Sequence, residues 1–497
     1  MGLPENVQSP LPVLIVLPMT IDKPREECAI FGVLNAQDAA AHCVLGLHAL
    51  QHRGQEASGI VSTTGKDFFQ RTAFGRVGDQ FNKGSVIDHL AGTAAIGHNR
   101  YSTSGSKQNY ANIQPLFAEL ETGGLALAHN GNLTNARELR TSLVKRGCLF
   151  RTSMDTEVVI HLIAVSEEQT LHGRIVDALS QVEGAYSMVL LTDNSLIGVR
   201  DPYGVRPLVL GQMEDSWILA SETCAFDIIG ATFVRDIEPG EMVTITEAGV
   251  ESTRPFAESP PSRFCIFEYV YFSRPDSFIQ GQHVYDTRKR MGQELALAEK
   301  HIIDVVVPVP DSGVPAALGY AQELGCPFEL GIIRNHYVGR TFIEPTDEIR
   351  HLGVKLKHNA NRTVLKGKRV ALVDDSIVRG TTLQKVAEMV RDAGAAEIHI
   401  RISCPEWMAT CHYGVDTPKT SELLASTHAH NEMPAHFNVE SVAFLDIDAL
   451  YRAVGEEGRD AAAPQYCDAC FTGEYPVLPE QADEPPVTVY TMDAATA

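Results

Sequence analysis

Residues 370–382 read VALVDDSIVRGTT: an apolar run, two adjacent carboxylates, then a short loop closing on Arg379, Gly380, Thr381 and Thr382. A short continuous apolar run bounded by turn signals suits a strand buried on both faces. The stretch that follows, TTLQKVAEMVRDAG, has helical spacing. In an open parallel sheet, ligands bind beyond the carboxyl ends of the strands. Gly380, Thr381 and Thr382 stand where a helix N-terminus offers unpaired N–H groups and a positive dipole end to a phosphate. Two carboxylates above such a cradle suit the hydroxyls of a sugar, or a hydrated Mg²⁺. The plainer alternative, an acidic strand end with a capping threonine, would leave Asp374 and Asp375 repelling each other without a partner.

The same rhythm continues on both sides. IIDVVVPVP precedes GVPAALGYAQELG, and EIHIRISCP follows the helix. Continuous apolar strands alternating with helices predict a buried parallel sheet of βαβ units. Before about residue 250 the texture differs. AAIGHNRYST, GGLALAHNGNL, AYSMVLLTD, SLIGVRD, WILASE and EMVTITEAGV read as short strands with turn punctuation. AAAHCVLGLHALQHR and DTEVVIHLIAVSEEQ read as helices. Many strands with few helices predict stacked sheets between helices, an α+β arrangement. The proline-rich TRPFAESPPS, residues 253–262, breaks the pattern. The expected organisation is a leader at 1–27, a first domain at 28–254, an α/β second domain at 262–475 and a disordered tail at 476–497.

At 497 residues the chain exceeds what one core usually serves. No apolar run reaches the roughly 18–20 residues that span a bilayer. The early LPVLIVLPM is broken by prolines and lacks the flanks of a secretory signal. Asn6 stands where N-myristoylation requires Ser or Thr. These features lead us to expect a cytoplasmic protein with no membrane partner. A net charge of −22 argues against nucleic acid. Residues 334–369 nevertheless hold nine Lys/Arg against three Asp/Glu, a surplus that suits a small anionic ligand or a solvated basic surface. Ten cysteines in so long a chain suggest metal or catalysis before disulfides. Cys467 and Cys470 form a C-x-x-C pair, a spacing used by zinc, iron–sulfur clusters and redox dithiols alike.

VALVDDSIVRGTT resembles the phosphoribosylpyrophosphate (PRPP) motif of type I phosphoribosyltransferases. The resemblance implies that Asp374 and Asp375 contact ribose hydroxyls and that Arg379, Gly380, Thr381 and Thr382 hold the 5′-phosphate. VPVPDSG resembles the loop that handles pyrophosphate and Mg²⁺, which nominates Ser312, with Asp374 and Asp375, around the metal. RNHYVGRTFI is similar to the family's mobile lid, which would bring Arg334, Tyr337 and Arg340 over PRPP. Arg334 and His336 stand where Lys and Arg are usual in that lid.

ECAIFGV, LQHRGQEASGI, GHNRYST, AHNGNL and SMDTEV resemble, in order and spacing, the motifs of class II glutamine amidotransferases, which have the N-terminal-nucleophile hydrolase fold. By that resemblance Cys28, freed by removal of residues 1–27, is a nucleophile whose own α-amine is the base. Asn130 and Gly131 would stabilise the oxyanion. Arg100 would grip the glutamine α-carboxylate, Asp155 its α-ammonium, and Thr103 would assist. Cys265, Cys411, Cys467 and Cys470 occur in contexts that resemble a subgroup holding a [4Fe–4S] cluster, although four cysteines also suit zinc. Cys43, Cys148, Cys224, Cys326 and Cys404 are expected to be small buried hydrophobes.

Taken together, residues 28–475 resemble the glutamine PRPP amidotransferase family. The resemblance implies glutamine and PRPP as substrates, an internal passage for ammonia, purine nucleotides as inhibitors and a homo-oligomer, a tetramer in that family. Glucosamine-phosphate synthases share only the first half, and VALVDDSIVRGTT argues against them. A non-catalytic PRPP-binding regulator would predict erosion at Cys28 or Asp155 and a basic DNA-binding extension; the sequence shows neither.

Overall fold

A computed structural model describes residues 28–82, 84–101, 109–256, 260–335 and 358–478. The predicted leader, Thr103, His336, Tyr337, Arg340 and the residues after 478 lie outside them. The first part of the chain forms β1 (Ala29–Leu34), β2 (Ala57–Thr63), β3 (Phe68–Phe74), β4 (Ala94–Arg100), β5 (Leu116–Leu120), β6 (Gly123–Leu133) and β7 (Gly184–Thr192). It continues with β8 (Leu196–Arg200), β9 (Val209–Met213), β10 (Ser216–Ala220), β11 (Thr232–Asp236), β12 (Met242–Thr246) and β13 (Gly249–Thr253).

These strands make two sheets, ordered β11-β9-β10-β1-β4-β2-β3 and β13-β12-β8-β7-β6-β5. The sheets face each other across Ile30, Ile96, Ala128, Val189, Leu219 and Val243. The outer face of the first packs on the helices Ala39–Ala49 and Cys224–Ile229. The outer face of the second packs on Ala136–Lys145, Thr156–Val165 and Leu171–Leu179. The result is the predicted helix–sheet–sheet–helix stack. It explains why β1 and β7 are buried at every position instead of alternating: both of their faces are covered.

The second part is built on a parallel sheet ordered Val305–Pro308, Arg369–Asp374, Glu397–Ile402, Ser441–Phe444. Helices Val314–Leu324 and Thr381–Asp392 follow its first two strands. Val305, Val306, Val307, Val370, Leu372 and Val373 are all buried, each stabilising the sheet by roughly 1.5–3 kcal/mol. The register pairs Pro308 with Val373 and Asp374 with Ile402, so the carboxyl ends of three strands line up on one edge.

Two expectations need correction. The tail does not lose its structure at residue 476, because Val477 donates its N–H to the Tyr413 hydroxyl at 2.8 Å and packs on the core. Cys148 and Cys326 are only partly buried, each lying just beyond a positive-φ glycine, Gly147 and Gly325, that ends a helix at the surface. Cys43, Cys224 and Cys404 are buried as expected.

Candidate active site

β1 and β4 are antiparallel with Ala29 opposite Asn99, so one step further Cys28 meets Arg100. Cys28 is 6% exposed, and its Sγ donates to the Tyr101 carbonyl at 3.4 Å. Burial lowers the Arg100 guanidinium, while the nearby Cys28 thiol and Glu56 carboxylate oppose that shift. Asn130 and Gly131 approach from the other sheet on β6. His98 Nε2 on β4 donates to the His129 carbonyl at 3.1 Å and ties the two sheets together one residue from Asn130. Burial drives His98 down to about 3, so this imidazole is neutral at working pH and its tautomer is set by that bond. The Asn130 Nδ2 group is buried and has no hydrogen-bond partner among the described residues. Asp155 closes the end of β6: its carboxylate accepts from Leu133 N at 3.0 Å and caps the next helix through Thr156 N at 2.9 Å. A thiol, a cation, a buried amide donor and a carboxylate therefore share one end of the sheet stack.

The second group lies on the carboxyl edge of the parallel sheet. Asp374 and Asp375 are buried; Asp374 accepts from the Asp375 N–H at 2.9 Å, and Ser376 donates to Asp375 at 2.6 Å. A Cβ at Gly313 would lie 3.2 Å from the Asp374 Cα, which places the Asp311–Ser312 turn against the acids. Arg334 pairs with Asp311 over the same turn. Gly380 takes φ 84, a left-handed conformation, to open the helix Thr381–Asp392, and the Phe437 ring would meet any side chain there at 3.0 Å. Thr381 is exposed at that helix start. Arg379 turns outward, donating to Glu422 at 2.7 Å.

A buried ionic network runs from the Cys28 strand into the second unit. Arg53 donates to the Cys28 carbonyl at 3.3 Å, to Glu222 at 2.6 Å and to Glu268 at 2.7 Å. Ser273 donates to Glu268 at 2.6 Å, and Arg288 donates to the Tyr269 and Ser273 carbonyls, each at 2.7 Å. Burial lowers the Arg288 guanidinium, and the largest opposing influence is the charge of Asp375. Burial alone would raise Glu222. Interaction with His52 and Arg53, and hydrogen bonds from His52 and Ser277, outweigh it and hold this carboxylate well below its ordinary range. Arg53, Glu222, Glu268 and Arg288 received no role from the sequence. Arg53 lies inside LQHRGQEASGI and Glu222 ends WILASE, but neither stretch shows that the two pair.

Cys265, Cys411, Cys467 and Cys470 all line one cavity, with Phe267, Trp407 and other apolar or aromatic side chains. Cys265 and Cys467 are direct partners in a two-stranded parallel pairing, Phe264–Cys265 with Tyr466–Cys467. The Met408 and Ala409 N–H groups bond the Cys470 carbonyl, bringing the Cys411 loop to the same cavity. Burial pushes the Cys467 thiol up to about 12 and raises Cys470 as well. Such thiols ionise only beside a compensating positive charge. Among the described residues, no group of three or more His, Cys, Asp or Glu is placed to hold a single metal ion. Four cysteines around one cavity are a donor set that fits an iron–sulfur cluster or zinc. A separate open groove lined by Glu168, His172, Asp177 and Thr253 contains none of the candidate residues. No helix among the described residues is long and apolar enough to cross a membrane.

Comparison with known proteins follows this division. The glutamine amidotransferase domain model matches residues 98–227, and the phosphoribosyl transferase domain model matches 286–410. An amidophosphoribosyltransferase from Rhizobium etli is 54% identical over 465 residues, covering 92% of this chain and 93% of its own length. One from Bacillus subtilis is 46% identical over 452 residues, covering 91% and 94%. The solved B. subtilis glutamine PRPP amidotransferase, complexed with ADP and GMP, superposes with a TM-score of 0.86 at 44% identity, covering 92% of this chain and 98% of that one.

Proposed function

The chain belongs to the amidophosphoribosyltransferase family, and we propose that its two units carry out successive halves of one reaction. PRPP, glutamine and water give 5-phosphoribosylamine, glutamate and pyrophosphate, the opening step of purine biosynthesis. The observation that carries this reading is the buried Arg53–Glu268 network, which ties the Cys28 carbonyl on the sheet stack to Glu268 in the second unit.

In the first unit, removal of residues 1–27 leaves the Cys28 α-amine free to take the thiol proton. The thiolate attacks the glutamine amide carbon, forming the S–C bond. The resulting oxyanion meets the Asn130 Nδ2 group and the Gly131 N–H, while Arg100 and Asp155 hold the two ends of the amino acid. The C–N bond breaks, the proton returns to nitrogen, and ammonia departs. Water then hydrolyses the thioester to glutamate. Ammonia stays nucleophilic only while unprotonated, which favours internal passage to the second unit. There it attacks C1 of PRPP as the bond to pyrophosphate breaks. Asp374 and Asp375 hold the ribose hydroxyls, and the loop from Arg379 to Thr382 holds the 5′-phosphate. Arg334, with Tyr337 and Arg340 from the lid, covers the site against water.

Asp374, Asp375 and Ser312 are the residues to hold Mg²⁺, which would neutralise charge on the leaving diphosphate. So few protein donors fit an ion bound chiefly through water and substrate phosphates. Cys265, Cys411, Cys467 and Cys470 are the residues to hold a [4Fe–4S] cluster, which would pin the C-terminal segment to the junction. The same reading makes the protein a cytoplasmic tetramer inhibited by purine nucleotides. Nucleotides bound to the B. subtilis relative support that inhibition, and sedimentation and inhibition assays test both features.

PRPP-dependent release of ammonia from glutamine tests the assignment, on protein whose first residue mass spectrometry finds to be Cys28. Cys28→Ala should abolish use of glutamine and leave synthesis from added ammonia. Loss of both activities together would contradict the division of labour, and a wild type releasing no ammonia would favour a PRPP-binding regulator.

A further inference from the structure

Gly131 is confined on β6. Its φ is 142, and a Cβ there would lie 2.0 Å from the Ala185 carbonyl oxygen on β7. The same residue is met by Gly414 of the second unit. Gly414 has φ 106, and a Cβ on it would lie 3.0 Å from the Gly131 Cα and carbonyl carbon and 3.1 Å from its oxygen. Two backbones thus press on Gly131, the residue that follows Asn130.

The Gly414 loop is itself anchored in both units. Asn132, the next residue on β6, donates its Nδ2 to the His412 carbonyl at 3.0 Å. Arg206 is fully buried, donates its Nε to the Tyr413 carbonyl at 2.8 Å and lies 3.6 Å from Glu268. Thr417 Oγ1 accepts from the Cys411 N–H at 2.9 Å, closing the loop on itself. A segment so tied is a rigid backstop and not a passing contact.

From this arrangement we infer that Gly414 is a positioning residue for the oxyanion donors of the glutamine site, contributed across the junction by the other catalytic unit. The inference rests on the amidotransferase reading of Asn130 and Gly131. Oxyanion donors act through fixed placement, and misplacement by a fraction of an ångström weakens them. A methyl group at 414 would force the Gly131 backbone to give by a few tenths of an ångström. The glutamine site therefore depends on the second unit for its geometry.

The test uses the whole enzyme and two inhibitors. Glutamate γ-semialdehyde adds the Cys28 thiol to its aldehyde carbon, so that the aldehyde oxygen occupies the oxyanion position. Glutamate binds the same site without forming that bond. The inhibition constant of glutamate divided by that of the semialdehyde reports formation of the thiol adduct and stabilisation of its oxygen, with the grip on the amino-acid end common to both. For Gly414→Ala the ratio should fall about tenfold, with kcat for glutamine falling in parallel and KM changing less than about twofold. Ammonia-dependent synthesis should be unchanged. Asn132→Ala, which frees the loop without loading a glycine, should shift the ratio in the same direction by a smaller amount. A wild-type ratio in both variants overturns the inference. So does a parallel fall of ammonia-dependent synthesis, which would make Gly414 a general support of the fold. A wild type that forms no semialdehyde adduct overturns the amidotransferase reading itself, and this inference with it.

Discussion

A buried amide N–H without an acceptor costs roughly 1–3 kcal/mol; the Asn130 Nδ2 finds none among the described residues, which fits the oxyanion role proposed for it. Its surroundings support that use. His98 is held neutral by burial and spends its Nε2 proton on the His129 carbonyl, so it offers no base close to Asn130. The proposed reaction gives the basic role to the Cys28 amine. Cys467 is the corresponding residue in the second unit. Its thiol, pushed to about 12 by burial, is a poor anion until a metal compensates it. Protein purified without oxygen should carry about four iron and four sulfide per chain. Cys467→Ser should lose most of both, together with the visible absorption of the cluster. One zinc per chain and no iron would contradict the cluster assignment.

At the scale of elements, the junction depends on a charge cluster that neither unit could bury alone. Arg53 follows the helix Ala39–Ala49, Glu222 follows β10, and Glu268 opens the turn Glu268–Phe272. Removing one member of a buried ion pair strands the other, so Glu222→Gln should cost about 3 kcal/mol at pH 7. The pH dependence has a definite sign. Glu222 is held below its ordinary 4.5 in the folded chain, so its stabilisation is full above that value and is lost as pH falls through it toward the folded pKa. Urea melts from pH 7 to pH 3.5 should show a steeper acid-side decline in wild type than in Glu222→Gln. Identical melts would contradict the role. The sequence could not show this joint. Arg53 lies 169 residues from Glu222 and 215 from Glu268, and no local pattern says which distant charges pair. What was legible was local: apolar runs on β1, β6 and β7, and an acid pair ending a strand before Gly380. Each of those signals is written in neighbouring residues by strand and helix geometry. The meeting of Gly414 with Gly131 is not, because it arises only when two units close on each other.

For the whole molecule, the arrangement makes physical sense as a way to keep ammonia from water. In the proposed reaction one unit would liberate it beside Arg100 and Asn130 and the other would capture it beside Asp374 and Asp375, with Arg53, Glu222 and Glu268 buried at the joint between them. The claim can be read in the nitrogen of the product. With amide-¹⁵N glutamine, PRPP and a large excess of unlabelled ammonium near neutral pH, the trapped phosphoribosylamine should carry ¹⁵N almost exclusively. Product nitrogen matching the unlabelled pool would mean that ammonia escapes to solvent before capture, and the account of two coupled sites would fail.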